Sequence, residues 1–318
     1  MSFAFVFPGQ GSQKIGMMQA YCANADATKI VRTTFEEASQ TLQQDLWELA
    51  DEGPELALSQ TENTQPLMLT ADIAVWRLWQ ALGGGAPDMV AGHSLGEYAA
   101  LVAAKVIEFD DAVKLVRQRA EAMQAAVPQG VGAMAAILGL EADTIVTLCA
   151  EATSDGDAGV NEVVEAVNFN DPVQTVIAGH QNAVARAMEL CQQAGAKRAI
   201  PLTVSAPFHS RLMRPAAVQL AAHLGEIELR APDIPVIHNV DAALRSEPPA
   251  IHDALVRQAD HPVRWVETVA HMDKAGIQHI VECGPGKVLK NLCKRCAHHI
   301  NTLALSDHAT MESHLDLE

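Results

Sequence analysis

The sequence predicts an α/β fold with a smaller unit inserted into it. Three observations lead there. Short apolar runs, FAFVF at Phe3–Phe7 and DMVAG at Asp88–Gly92, each give way to a glycine-containing turn, and the second feeds an alanine- and leucine-rich helical stretch. Between Gly130 and Leu202 the pattern becomes β-α-β-β-α-β. After Leu202 the first pattern resumes.

Each element has a local reason. Phe3 to Phe7 reads as a buried strand, stopped by the glycine-rich PGQGSQ. A helical pattern starts near Pro66, a suitable early-helix proline, runs to Leu82, and ends at Gly83-Gly84-Gly85. Asp88 to Gly92 is the second strand, HSLGEYAALVAAK the helix after it, and Asp110 to Ala126 another helix. In the inserted stretch, Val131 to Leu138, Val163 to Asn168, Gln174 to Ala178 and Arg198 to Leu202 read as strands. Glu141 to Thr153 and Gln181 to Ala194 read as helices, and the polar SDGDAG as a loop. That order is the order of a ferredoxin-like unit. Beyond it, Ile234 to His238 and His279 to Glu282 are strands, with helices around Ile251 to Gln258, Val263 to Lys274 and Lys287 to Ala297. The chain shows no internal repeat and no low-complexity tract.

Composition removes several classes of function. A formal net charge of −17 lacks the basic footprint that a nucleic-acid binder needs. No apolar run is long enough for a membrane span. The start, MSFAFVFPGQ, has no positive n-region, and Pro8-Gly9 interrupts its apolar run, so it reads as strand and turn, not as a signal peptide. Six cysteines scattered along the chain fit reduced thiols in a cytoplasm.

Gly92, Ser94 and Gly96 form G-x-S-x-G. Three fixed positions of this kind recur by chance in roughly one chain in ten of this length. The expected strand before Ser94 and helix after it supply the context that the motif requires. Flanking glycines allow a sharp turn, and the Leu95 N–H stands where it can bind an oxyanion. The hydroxyl needs a base. Among thirteen histidines, His93 adjoins Ser94 and is expected to point elsewhere. His209, in TVSAPFHSRLM, follows an expected strand end, where a loop can aim it.

Arg119 sits within the stripe Ala112, Leu115, Val116, Arg119, Ala122, Met123, Ala126, while Lys114, Arg117, Gln118, Glu121 and Gln124 occupy the other side. An arginine buried by its helix needs an acceptor. A structural ion pair, a snorkelling side chain and a substrate carboxylate all remain open.

Other signals fail. Gly9-x-Gly11 is followed by Lys14 where a dinucleotide fingerprint wants glycine, and GPGKVL at Gly284 lacks P-loop spacing and hydroxyl. Cys293 and Cys296, with His298 and His299 nearby, lack a second ligand pair at zinc spacing and read as ordinary helix cysteines.

The motifs FPGQGSQ at Phe7–Gln13, GHSLGEY at Gly92–Tyr98, VPQGVGAMAAI around Gly130, NFN at Asn168–Asn170, VSAPFHSRLM at Val204–Met213 and VECGPGKVL resemble the malonyl-CoA:acyl carrier protein transacylases nearly end to end. The resemblance implies an α/β-hydrolase-like core over residues 1–128 and 203–318, with a ferredoxin-like subdomain over 129–202. It implies that Ser94 is the acylated nucleophile and His209 its base. Gln258, in LVRQADHPVRW, matches the residue whose main-chain carbonyl orients the histidine. Gln10 matches the glutamine whose backbone N–H joins that of Leu95 in an oxyanion hole, and Arg119 the arginine that grips the malonyl carboxylate. Phe208, beside His209, matches the phenylalanine that goes with malonyl over methylmalonyl selection in related polyketide acyltransferases.

The implied reaction is ping-pong: malonyl-CoA acylates Ser94, and the phosphopantetheine thiol of acyl carrier protein takes the group. No metal or redox cofactor is implied. Carrier protein is expected to dock near Lys287, Lys290 and Lys294, spaced i, i+3 and i+7, with Arg295 close by and Arg211 and Arg214 after the base. Rival readings are the malonyltransferase subunit of malonate decarboxylase, a stand-alone polyketide acyltransferase, and a serine hydrolase or thioesterase giving the acyl group to water.

Overall fold

The computed structural model describes residues 2–128, 130–155, 161–204 and 206–315. Its strands, in chain order, are β1 (Phe3–Phe7), β2 (Met89–Gly92), β3 (Gly132–Leu138), β4 (Ser154–Asp155), β5 (Asn161–Glu162), β6 (Val164–Asp171), β7 (Gln174–His180), β8 (Arg198–Pro201), β9 (Val236–Ile237), β10 (His279–Glu282) and β11 (Asn301–Ala304). Five form a parallel sheet in the order β11-β10-β1-β2-β9. Four others form an antiparallel sheet in the order β6-β7-β3-β8, and β4 pairs with β5. The protein is therefore mixed α/β, with separate parallel and antiparallel sheets.

β1 explains why the parallel sheet lies at the centre. All five residues of FAFVF are buried, as expected of a strand covered on both faces. Successive side chains alternate between those faces. Phe3, Phe5 and Phe7 enter one core, where Phe5 meets Trp76 and Trp79 edge-on at 5.7 and 5.4 Å. Ala4 and Val6 enter the other, with Trp265 and Val269. Phe7 lies opposite Gly92, so the loops after β1 and β2 leave the same end of the sheet side by side. Those loops carry Gln10 and Ser94. Ligands of open parallel sheets bind at that carboxyl end.

The antiparallel sheet packs against helices Ala142–Ala152 and Gln181–Gln193 around its own small core. It is stitched to the rest at β6, where the Phe169 N–H donates to the Val263 carbonyl (3.0 Å) and the Val263 N–H to that of Val167 (2.8 Å). A register shift between Ala166 and Asn168 accompanies this junction.

Three sequence expectations need correction. The helix expected from Pro66 begins at Thr61 and runs to Ala81, with Pro66 inside it. Its first turn looks like loop because it is polar, yet Asn63, Thr64 and Gln65 are buried. Each has a partner: Thr64 donates to the Leu58 carbonyl at 2.6 Å, Asn63 accepts from Gln44 at 3.1 Å, and Gln65 meets Arg119. The strand expected over Val163–Asn168 continues to Asp171. Of the SDGDAG loop, Ser154 and Asp155 form β4, and 156–159 lie outside the described residues. Helices Ala25–Leu42 and Arg214–Leu224 and strand β11 add elements that the sequence pattern did not single out.

Candidate active site

Ser94 stands at the turn between β2 and helix Gly96–Ala103 with φ of +53°, a left-handed conformation that costs a non-glycine residue energy. Two glycines make the turn possible. A Cβ on Gly92 would lie 1.9 Å from the Gly96 backbone, and one on Gly96 would lie 2.0 Å from the Phe7 carbonyl oxygen. Asn239 holds the turn closed: its Oδ1 accepts from the Ser94 N–H at 2.7 Å and its Nδ2 donates to the Gly92 carbonyl at 2.6 Å.

His209 reaches Ser94 from the loop before helix Arg214–Leu224. It too is left-handed, with φ of +63°. Its Nε2 lies 2.7 Å from Ser94 Oγ, and its Nδ1 lies 2.8 Å from the Gln258 carbonyl oxygen. The carbonyl can only accept, so Nδ1 carries the proton and Nε2 faces the hydroxyl as an acceptor. Burial, reinforced by the charge of Arg119, pushes the His209 pKa down to about 3. The ring is therefore neutral at ordinary pH, the state a general base requires.

Arg119, on helix Phe109–Ala125, is 2% exposed. Its Nη1 donates to Gln65 Oε1 at 2.7 Å, and its Nη2 to Gln258 Oε1 at 2.9 Å and to Ser94 Oγ at 3.3 Å. The guanidinium carbon stands 5.3 Å from the Tyr98 ring centre. Among the described residues no carboxylate forms an ion pair with it, and its Nε has no partner. A structural ion pair, one of the open sequence readings, is thus not what holds Arg119.

Gln10, Ser94, Leu95, Arg119, Phe208 and His209 line one cavity of about 120 Å³. Its wall also includes Gln65, His93, Met134, Asn168 and Leu202. His93 borders this cavity too, but its side chain points away from Ser94, as expected: its Nε2 is engaged by Asn170 Oδ1 at 2.8 Å and its ring lies 5.4 Å from that of Trp265. The structure can thus present a serine hydroxyl, a neutral imidazole and a desolvated guanidinium to one small ligand.

The expected docking residues lie elsewhere. Lys287 precedes helix Val288–Cys296, with Lys290 and Lys294 inside it. Arg295 is drawn to Asp171 at 2.5 Å and so ties this helix to β6. Arg211 pairs with Glu165 at 2.6 Å, and Arg214 approaches Asp260 at 3.7 Å.

The acyl transferase domain family matches residues 4–311. The chain belongs to that family. It is 51% identical over 315 residues to the malonyl CoA-acyl carrier protein transacylase of Escherichia coli K12, covering 99% of each chain. It is 44% identical to the Bacillus subtilis protein of the same name, covering 97% of this chain and 95% of that one. Among solved structures, the acyl-carrier-protein S-malonyltransferase of Burkholderia pseudomallei superposes with a TM-score of 0.94 at 53% identity, with 99% of both chains covered. A malonyl-transacylase in complex with a type II polyketide synthase acyl carrier protein superposes at 0.95 with 47% identity and full coverage of both chains.

Sequence reasoning did not single out Gln65, Glu97, Asn239 or the side chain of Gln258. Gln65 and Glu97 have one available signal each. Gln65 stands just before the helical proline, and Glu97 is an acid in the apolar first turn after the serine. Asn239 carries no signal of its own, because its partners Gly92 and Ser94 lie about half the chain away.

Proposed function

We propose that this acyltransferase moves a malonyl group from coenzyme A to the phosphopantetheine thiol of an acyl carrier protein, through a malonyl ester on Ser94, and so supplies fatty-acid synthesis. One observation carries the reading beyond the family match: the Ser94–His209 pair, 2.7 Å apart, shares its cavity with a buried arginine whose protein partners are neutral oxygens. A carboxylated acyl thioester supplies what each group lacks.

In this reading Ser94 Oγ attacks the thioester carbonyl while His209 Nε2 takes the hydroxyl proton. The Leu95 and Gln10 N–H groups receive the oxyanion. Collapse breaks the C–S bond, and His209 returns the proton to the leaving thiolate of coenzyme A. The carrier thiol then gives its proton to His209 and attacks the ester, and Ser94 leaves with that proton. The Gln258 carbonyl fixes the imidazole tautomer without supplying a negative charge. Arg119 grips the acyl carboxylate through parallel N–H bonds, and Phe208 crowds a branched acyl carbon. The atoms balance with no cofactor beyond the coenzyme A thioester.

The same proposal reads the architecture as an α/β-hydrolase-like core, residues 1–128 and 203–318, around a ferredoxin-like subdomain, 129–202. It places the carrier near Lys287, Lys290 and Lys294, with Arg295 demoted by its bond to Asp171. It places the protein in a reducing cytoplasm, in keeping with six unpaired cysteines. Among the described residues no helix is long and apolar enough to cross a membrane.

A second reading, delivery to a polyketide carrier, is favoured by the similarity to the transacylase solved with such a partner. Intact-mass measurement tests the main reading. Incubation with malonyl-CoA should add one malonyl group at Ser94, and carrier protein should remove it. Loss of the adduct to water at the same rate without carrier would mark a hydrolase. Comparing fatty-acid and polyketide carriers as acceptors decides between the two pathways.

A further inference from the structure

Glu97 lies in the first turn of the helix that follows Ser94, fully buried. Its carboxylate accepts from three donors: His238 Nδ1 at 2.7 Å, the Asn239 N–H at 3.0 Å and Gln258 Nε2 at 2.8 Å. The contact to a carboxylate, which only accepts, places a proton on His238 Nδ1. Gln258 Nε2 also donates to the Ser94 carbonyl at 2.9 Å. The Gln258 amide therefore has one orientation that satisfies every neighbour. Its NH₂ faces two acceptors, and its Oε1 faces Arg119 Nη2 at 2.9 Å. Flipping it would set oxygen against oxygen on one side and N–H against N–H on the other.

Arg119, Gln258 and Glu97 thus form one buried chain, exposed by 2%, 1% and 0%. An unpaired buried guanidinium is costly, whereas a carboxylate bonded straight to it would occupy the fork that reads a ligand. Here the two charges are separated by a neutral amide. The Glu97 charge is felt at Arg119, where it opposes the lowering of the arginine pKa that burial causes.

We infer that the Gln258 side chain is a specificity-determining spacer. It keeps the Glu97 carboxylate one amide away from Arg119, so the guanidinium has a counter-ion within reach yet stays open to the carboxylate of the acyl group. This role is distinct from that of the Gln258 main-chain carbonyl on His209, and it rests on the malonyl-transfer reading above. Glu97, which does not border the cavity, is a positioning residue that acts through Gln258.

The test is the rate at which Ser94 takes up malonyl from malonyl-CoA and acetyl from acetyl-CoA, read by intact mass as a ratio. Gln258→Glu is nearly isosteric and puts a carboxylate directly on Arg119. The malonyl-to-acetyl ratio should fall about 30-fold or more, in line with the loss of one partner from a buried charge pair. Gln258→Leu removes the amide without adding charge, and its ratio should fall less. Glu97→Gln combined with Gln258→Glu restores the amide–carboxylate pairing with the charge moved inward. Its ratio should fall as in Gln258→Glu, which keeps the test decisive if the single variant does not fold. A ratio unchanged from the native protein in both carboxylate variants, or an equal fall in Gln258→Leu, would overturn the inference. Failure of the underlying reading looks different: the native protein itself would take up no malonyl.

Discussion

The two halves of the site are built on opposite plans. The nucleophile half is set by backbone. Ser94 and His209 both sit at positive φ, Gly92 and Gly96 leave no room for a Cβ, and the imidazole is oriented by a main-chain carbonyl. Its groups are neutral. The acyl-reading half is set by side chains: Arg119 carries a charge, and two glutamine oxygens hold it. A neutral pair can be buried cheaply and wait for substrate, whereas a buried charge needs partners at all times. Amide oxygens supply those partners and remain weaker competitors than a carboxylate. The same charge helps hold His209 deprotonated, so the acyl-reading half also tunes the chemical half.

This contrast can be broken from either side. The largest effect is expected from Ser94→Ala, which removes the nucleophile: malonyl transfer should fall by about 10⁶-fold. An adduct that persists by mass spectrometry would move the chemistry to another residue. Next comes Arg119→Lys, which keeps the charge and loses the planar fork. If the fork matters, kcat/KM for malonyl-CoA should stay at least about 30-fold down, the lower end of what truncating a buried charge pair costs. Restoration near the native value would mean that charge alone suffices.

The coupling between the halves predicts a pH effect. With the His209 pKa held near 3, kcat/KM for acetyl-CoA should show no acid limb from the base between about pH 5 and 8. Acetyl-CoA is the right probe because its acyl group does not titrate. Arg119→Ala removes a cation that disfavours imidazolium, so the acid limb should move up toward, and not past, the ordinary histidine value of about 6.5. An unmoved limb would mean that burial alone sets the base. The smallest effect concerns Phe208, which borders the cavity beside His209. One extra methyl in a tight pocket is worth roughly 1–3 kcal/mol, so native kcat/KM should favour malonyl-CoA over methylmalonyl-CoA by about 10- to 200-fold. Equal values would show that Phe208 does not gate the pocket.

The two halves also differ in how far the sequence exposes them. The turn at Ser94 is legible because its demands are local: two glycines, a strand before and a helix after. The parallel strands are legible because burial on both faces leaves runs such as FAFVF. Arg119 is legible because helical periodicity places a charge in an apolar stripe. What holds Arg119 is not legible. Gln65 lies 54 residues away and Gln258 lies 139 residues away. Polar residues on a helix read as solvent-facing unless the partner that buries them is known. The first turn of helix Thr61–Ala81 reads as loop for that reason, and the role of the Gln258 side chain stays hidden behind its main-chain role. His209 lies between these cases, since its place after a strand end marks a loop but not its direction.

The division of labour between the halves is tested most directly by Arg119→Ala, with malonyl and acetyl loading of Ser94 and the melting temperature measured on the same preparation. Malonyl loading should fall by roughly 30- to 5,000-fold, while acetyl loading holds or improves and the melting temperature stays close to native. Parallel loss of both acyl groups, with a lowered melting temperature, would contradict the assignment and make Arg119 a structural residue.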